Sequence, residues 1–172
     1  MRVDVRLVRL DDVPVLARLA VSERDVLAPY EPRRDEAFAT EEGQRADVEA
    51  ALAGHAAGTR WSGVVLLDGE VVGRTTVSDV VRGAFQSGHV GYWVSQQAGG
   101  RGVAGAAVAQ VLGRAFGDME LHRLRAATLP NNVRSQKVLR RNGFDEIGYA
   151  PRYLRIAGRW QDHVLFQRLA DG

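Results

Sequence analysis

A short glycine-rich segment is the part of this sequence whose residue types and spacing most directly indicate chemistry. It lies between a predicted strand and a predicted long helix. Glycine lets the backbone approach a ligand closely, and the helix start offers unbonded N–H groups and the positive end of the helix dipole. The segment therefore predicts a site for an anion such as a diphosphate, although a tight strand-to-helix turn would also need glycines. The residues of this glycine loop are Gln97, Ala98, Gly99, Gly100, Arg101, Gly102, Val103 and Ala104.

The same glycines also match a dinucleotide-binding pattern, Gly100-x-Gly102-x-x-Gly105. That pattern expects a carboxylate at the end of the next strand to hold a ribose, and it normally opens the first strand–helix–strand unit. Here the next strand ends in Thr128-Leu129-Pro130-Asn131, and several strands come earlier. A nicotinamide-dependent enzyme is therefore not predicted.

A polar pair, Asn132 and Ser135, lies at the start of another predicted helix. Residues three apart share a helix face, and in the first turn the helix dipole favours negative charge. Judged alone, Asn132 could be a plain N-cap and Ser135 a solvent-facing side chain. Their occurrence together with the glycine loop favours a functional role for both.

The elements that must position these residues predict an α+β fold, a mixed α/β sandwich. The order is strand, two helices, three strands, helix, strand, helix and two strands, with an irregular segment at 23–43 and the second helix at 46–57. Early strands linked by hairpins run antiparallel, whereas a helical crossover makes the fourth and fifth strands parallel. Residues 1–172 are predicted to form a single domain with about four flanking helices.

Composition narrows the class of protein. The chain has 172 residues, 45% of them apolar, no cysteine and a formal net charge of +2. Disulfides and thiolate metal sites are excluded, and no histidine spacing indicates a metal ligand set. A near-neutral charge does not favour nucleic-acid binding, and no apolar run approaches the ~20 residues that span a bilayer. A cytoplasmic protein without a metal, and without a membrane or nucleic-acid partner, is expected.

Two signatures within residues 89–145 resemble those of the GNAT superfamily of N-acetyltransferases. Gln97-x-x-Gly100-x-Gly102 is similar to its acetyl-CoA pyrophosphate loop, and the preceding Gly91-Tyr92-Trp93-Val94 to its fourth strand. Asn132-x-x-Ser135, followed by Asn142-Gly143-Phe144, resembles its second signature. The resemblance implies a mostly antiparallel seven-stranded sheet whose parallel strands 4 and 5 splay apart.

Two segments of the C-terminal third of the chain resemble one group within this superfamily. His122-Arg123-Leu124 and residues 153–166 resemble the RimJ/RimL-type ribosomal-protein alanine N-acetyltransferases. The resemblance implies that acetyl-CoA is the co-substrate and that its pantetheine arm pairs with Trp93 and Val94. It also implies that Asn132 contacts the pantetheine amide region and that Ser135 donates to the departing sulfur.

The general base is the least defined part of the predicted mechanism. Where many relatives carry a glutamate, this chain has His89, which could accept a proton or be a surface histidine without catalytic duty. Glu31 is the other candidate, as a base, as a ligand for a cationic amine or as a solvated side chain. An α-amine, with a pKa of ~7.7–8.0, is neutral about a hundredfold more often than lysine, at ~10.4. A weak base therefore favours an α-amine acceptor.

The acceptor walls are predicted in the irregular segment and the 82–88 loop. Tyr30, Glu31, Phe38 and Phe85 are the predicted substrate-binding residues, with aromatic packing beside a solvated acidic face as the alternative. The expected function is direct acetyl transfer, in a ternary complex, to the N-terminal α-amine of a protein such as a ribosomal one. The alternatives are a small-molecule amine acceptor and a non-catalytic acyl-CoA sensor, and a homodimer is compatible with either.

Overall fold

A computed structural model describes residues 1–171, and its centre is one seven-stranded sheet. The strand order is β1-β2-β3-β4-β5-β7-β6, and every neighbouring pair is antiparallel except β4 with β5. The α+β fold and the seven-stranded sheet predicted from the sequence are therefore confirmed. The strands are β1 (Val3–Leu7), β2 (Trp61–Leu67), β3 (Glu70–Val81), β4 (Ser87–Val94), β5 (Arg123–Thr128), β6 (Asp145–Ile156) and β7 (Arg159–Leu169).

The parallel pair in the middle of the sheet is short and then opens. β4 and β5 pair only where Ser87–His89 lies beside Arg123–Arg125. Beyond that point β4 continues to Val94 with β3 as its partner, while β5 continues to Thr128 with β7 as its partner. The sheet therefore has a gap between β4 and β5, and the backbone of β4 after His89 has an edge that faces this gap.

Helices cover both faces of the sheet around two separate cores. The helices are α1 (Val13–Ser22), α2 (Arg24–Leu27), α3 (Glu41–Ala56), α4 (Val103–Phe116) and α5 (Val133–Arg141). On one face, the apolar stripe of α4 packs on the sheet through Val103, Ala107 and Val111. On the other face, α1 and α3 bury Leu16 and Val48 against β2. Since side chains alternate along a strand, the strands contribute to both cores.

The helix count and one helix boundary differ from the prediction. The fifth helix is the single-turn α2, inside the segment predicted to be irregular. α3 begins at Glu41 instead of residue 46, because Thr40 is its N-cap and accepts a hydrogen bond from the amide of Gly43. The Asp68-Gly69 turn joins β2 to β3 as predicted, with φ of +51° and +92°. No helix within residues 1–171 is long and apolar enough to cross a membrane.

Candidate active site

The glycine loop has a backbone that only glycine adopts without strain at two positions. Gly100 has φ of +73° and Gly102, the N-cap of α4, has φ of +80°. A Cβ built on either residue meets no atom within 4 Å, so both face open space. Glycine is needed here for its conformation and not to avoid a neighbouring protein atom. The segment is thus a tight strand-to-helix turn whose glycine positions also leave the space beside the backbone open.

The amides of the glycine loop are unused. Within residues 1–171, the N–H groups of residues 100–105 donate to no protein acceptor, and the first amide of α4 that does is that of Ala106, to Gly102 O. The 14-residue α4 therefore presents the free amides and the positive dipole end that an anion site requires. Arg101 is exposed in the same turn.

A second cation, Arg134, lies beside the glycine loop. The guanidinium of Arg134, in the first turn of α5, lies 3.4 Å from where a Cβ of Gly99 would be. The start of α5 is therefore directly beside the glycine loop. Because Arg134 is about 35 positions further along the chain, only the tertiary structure brings the two together.

The strand before the loop is held by a buried carboxylate. Glu23, at the end of α1, is 7% exposed, and its Oε2 accepts a hydrogen bond of 3.0 Å from the amide of Gln96. The amide of Ser95 donates to the carbonyl of Val72 at 2.7 Å. These two bonds fix the end of β4 and the turn that leads into the glycine loop.

Ser135 has a hydrogen-bond partner that sequence analysis missed. Oη of Tyr92 lies 2.8 Å from Oγ of Ser135 and 3.2 Å from its carbonyl oxygen. Burial raises the pKa of Tyr92 to about 12, so its hydroxyl is protonated at neutral pH. Tyr92 lies within the Gly-Tyr-Trp stretch, but nothing in that stretch shows which side chain on α5 it meets.

Asn132 is the N-cap of α5. Its Oδ1 accepts a hydrogen bond of 3.2 Å from the amide of Ser135, three residues on. This is the capping role that the sequence left open as the simpler interpretation. The cap fixes the first turn of α5 and therefore the position of Ser135. It uses the Oδ1 of Asn132, so the Nδ2 amide group of that side chain is still available.

Ser135 and Asn132 line a cleft at the gap between β4 and β5. The cleft has a volume of about 680 Å³, within the ~300–1,000 Å³ range of small-molecule sites. Its lining includes Trp93 and extends from α1 and α3 across β4 and β5 to β7. The free edge of β4 and the first turn of α5 therefore border one cavity.

The two predicted base candidates both line this cleft. Burial, and then the charge of Arg125, lower the pKa of His89 below its ordinary value. Burial raises the pKa of Glu31, against the opposing effect of the nearby Arg34. His89 is thus neutral at neutral pH, and neither side chain makes a hydrogen bond within residues 1–171.

The cleft gathers most of the predicted acceptor residues and leaves one outside. Tyr30 and Phe38 line it beside Glu31, and Arg34 stacks on the ring of Phe38 at 4.5 Å. Phe85 does not line it; it lies in the β3–β4 turn with Arg125 stacked over its ring at 5.0 Å. The reason is topological, since that turn is at the end where β4 and β5 still pair.

The charges of the cleft are mixed and not simply acidic. Asp35, Glu36 and Asp47 line it, whereas Glu41 and Glu42 are exposed in the first turn of α3 and do not. Asp47 is paired with Arg74 at 2.8 Å on the cleft wall. No group of three or more histidine, aspartate or glutamate side chains in residues 1–171 is arranged to hold a metal ion.

The splayed strand pair, the crossover helix α4 and the shape of the sheet define an acetyltransferase fold. The profile of the acetyltransferase (GNAT) domain family matches residues 2–145. The chain belongs to this family, and it is an acetyl-CoA-dependent N-acetyltransferase.

Relatives of known activity narrow the comparison. The chain is 36% identical over 166 residues to the [ribosomal protein uS5]-alanine N-acetyltransferase of Escherichia coli K12, covering 95% of this chain and 86% of that protein. The crystal structure of the ribosomal-protein-S5-alanine acetyltransferase of Vibrio fischeri superposes with a TM-score of 0.93 at 34% identity, over 99% and 94% of the two chains. Mycobacterium smegmatis RimJ in complex with CoA-disulfide superposes with a TM-score of 0.94 at 34% identity, over 98% and 82%. The RimJ/RimL-type resemblance is therefore confirmed.

Proposed function

We propose that this enzyme transfers the acetyl group of acetyl-CoA to the N-terminal α-amine of a protein, and that the acceptor is a ribosomal protein beginning with alanine. Two relatives that are similar over nearly the whole chain, one in sequence and one in structure, carry that activity in their names. The observation that carries the proposal is the set of free amides at residues 100–105, which lies beside the α5 turn that holds Ser135.

The glycine loop suits the diphosphate of CoA. Its free amides and the dipole of α4 favour a doubly charged group, and Arg101 and Arg134 add two guanidinium groups. The pantetheine arm then has one direction open to it, along the free edge of β4 past Val94 and Trp93. Its amides can pair there as an added strand would. Asn132, at the mouth of the gap, lies where it can meet the arm with its remaining amide group.

Ser135 is the proton donor to the leaving sulfur in this proposal. Its hydroxyl lies in the first turn of α5, where the helix dipole stabilises a thiolate. When Tyr92 donates to Oγ, the serine proton is free to point into the cleft. The attacking nitrogen forms its bond to the thioester carbon, the C–S bond breaks, and the sulfur takes the proton of Ser135.

The acceptor side suits an α-amine. The cleft carries no strong ionised base beside the thioester position, because His89 is a weakened base and Glu31 has a raised pKa. An α-amine needs less help than a lysine to become neutral at pH 7. The aromatic rings of Tyr30 and Phe38 border the route by which a peptide would enter.

A release assay with matched acceptors tests this function. Free CoA is measured from acetyl-CoA with peptides of one sequence that begin with alanine, with N-acetylalanine, or with an internal lysine only. Turnover restricted to the free alanine terminus supports the proposal. Turnover on small amines alone, or tight acetyl-CoA binding with no release on any acceptor, contradicts it.

We further propose that residues 1–172 act as one cytoplasmic acetyltransferase domain without a metal. The single sheet that runs from Val3 to Leu169 supports the single domain, since both the loop and the cleft depend on it.

A further inference from the structure

His163 is a buried side chain in the same cleft to which nothing above assigns a role. It is 3% exposed and lies on β7 among the cleft-lining residues. Its neighbour Val164 is in the core beneath α4, as is Val90, the neighbour of His89. Since side chains alternate along a strand, His163 and His89 point from the opposite face, toward the cleft.

The hydrogen bonding of His163 determines which ring nitrogen is available. Nδ1 lies 2.9 Å from the carbonyl oxygen of Gln161. A carbonyl only accepts, so Nδ1 carries the hydrogen, and in the neutral ring the lone pair is on Nε2. Within residues 1–171, Nε2 makes no hydrogen bond, and it is not among the buried polar atoms left without a partner. A base therefore faces the cleft in a fixed tautomer.

This arrangement is better suited to accept a proton than either candidate from the sequence. The hydrogen bond from Nδ1–H to the Gln161 carbonyl becomes stronger when the ring gains a positive charge. A hydrogen-bond acceptor at Nδ1 orients a catalytic histidine in the same way. His89 has the cation of Arg125 beside it instead, which opposes protonation. Glu31 lies in the connection between α2 and α3, and no hydrogen bond holds its carboxylate within residues 1–171.

We propose that Nε2 of His163 is the general base that takes the proton from the acceptor nitrogen. The proposal rests on the proposed function. As the N–C bond forms and the C–S bond breaks, the proton lost by the nitrogen goes to Nε2, and the sulfur receives a different proton from Ser135. After the products leave, the imidazolium returns its proton to solvent and Ser135 takes a proton from solvent, so protons and charge balance over the cycle.

Other charged and titratable groups surround His163 and enter any pH profile. His89 on β4 is close enough for its charge to interact with that of His163, and Arg125 and Asp79 act on His89 in turn. Tyr153 packs on His163 from β6 with ring centroids 5.8 Å apart. Asp162, its neighbour in sequence, is close enough for the two charges to interact. Glu31 lines the cleft from the α2–α3 connection.

The experiment combines removal of the base with its chemical replacement. His163→Gln keeps a donor for the Gln161 carbonyl but has no basic nitrogen, so we expect kcat to fall about 100-fold with little change in acetyl-CoA affinity. His163→Ala leaves a space that a soluble base can fill. Imidazole should restore turnover, whereas pyrazole, which has the same shape but is a far weaker base, should not. His55→Gln, an exposed histidine on α3, is the control and should match the wild type.

The outcomes distinguish a failure of the His163 proposal from a failure of the proposed function. If His163→Gln turns over at the wild-type rate, or if pyrazole rescues as well as imidazole does, His163 is not the base and the proposed function stands. If the wild type releases no CoA with any acceptor, both proposals are wrong.

A measurement on the wild type covers the case in which neither variant folds. The chain has four histidines, so ¹⁵N-labelled single variants of the other three assign the fourth by elimination. The proposal requires the Nδ1–H tautomer, and an alanine-terminal peptide should shift the Nε2 resonance. A protonated Nε2 in the neutral ring, or no shift with a peptide that is turned over, overturns it.

Discussion

The two sides of this enzyme recognise their ligands in different ways. On the proposed cofactor side, consecutive residues supply the free amides, namely a run of glycines and the first turn of α4. On the proposed acceptor side, Glu31, His89 and His163 come from three distant parts of the chain and line one cleft. Backbone recognition is a local property, whereas a constellation of side chains depends on strand order and register. Substitutions should therefore affect the two sides separately.

The largest effect is expected where the two sides meet, at Ser135. Ser135→Ala removes the donor to the sulfur, so turnover should fall about 100-fold or more while acetyl-CoA affinity stays near that of the wild type. Steady-state kinetics and calorimetric binding measure the two quantities. Ser22→Ala, which removes an exposed hydroxyl at the end of α1, serves as the control. Unchanged turnover would take Ser135 out of the mechanism.

The next largest effect should be confined to the cofactor side. Gly100→Val puts a branched side chain at φ of +73° and into the space of the diphosphate, so acetyl-CoA affinity should drop about tenfold to 100-fold. Gly83→Val is a matched control, because Gly83 has φ of +78° and equally open space but lies in the β3–β4 turn. If both variants bind acetyl-CoA like the wild type, the phosphate assignment is wrong.

A smaller effect is expected from the partner of Ser135. Tyr92→Phe removes one hydrogen bond and keeps the ring, which corresponds to a loss of up to about tenfold in kcat. Combined with Ser135→Ala, it should cost almost nothing further, because the tyrosine acts through the serine. A double-mutant cycle measures this. Additive losses would show that Tyr92 acts by another route.

The smallest effect concerns the acceptor side alone. Arg125→Gln removes a cation that opposes the charging of His89, so the pKa of His89 should rise toward its ordinary value. The pKa should rise because the protonated ring is positively charged, and a neighbouring cation makes that form less favourable. An NMR titration of the wild type and the variant checks it, and acetyl-CoA affinity should not change. A pKa that stays in place would mean that the charge of Arg125 does not contribute to the shift.

Residues that are adjacent in sequence were the ones that sequence analysis assigned best. The helix stripe at Val103 and Ala107, the Asp68-Gly69 turn and the parallel β4–β5 pair all follow from local patterns or from connection rules. The start of α3 was placed late, since Thr40 as a cap is a weaker signal than the apolar periodicity after it. The role of Tyr92 does not follow from the sequence because its partner lies on another element. Arg134 belongs to a basic stretch at 122–141, but only the fold places it beside the glycine loop.

The sequence by itself determined the glycine loop, the order of strands and helices and the family to which they point, because each depends on neighbouring residues or on a short connection. Only the tertiary structure decided that Phe85 lies away from the cleft and that His163 lies in it. Those positions depend on where β4 and β5 part and on which face of β7 is buried. Strand register sets both, and no short segment of the chain encodes it.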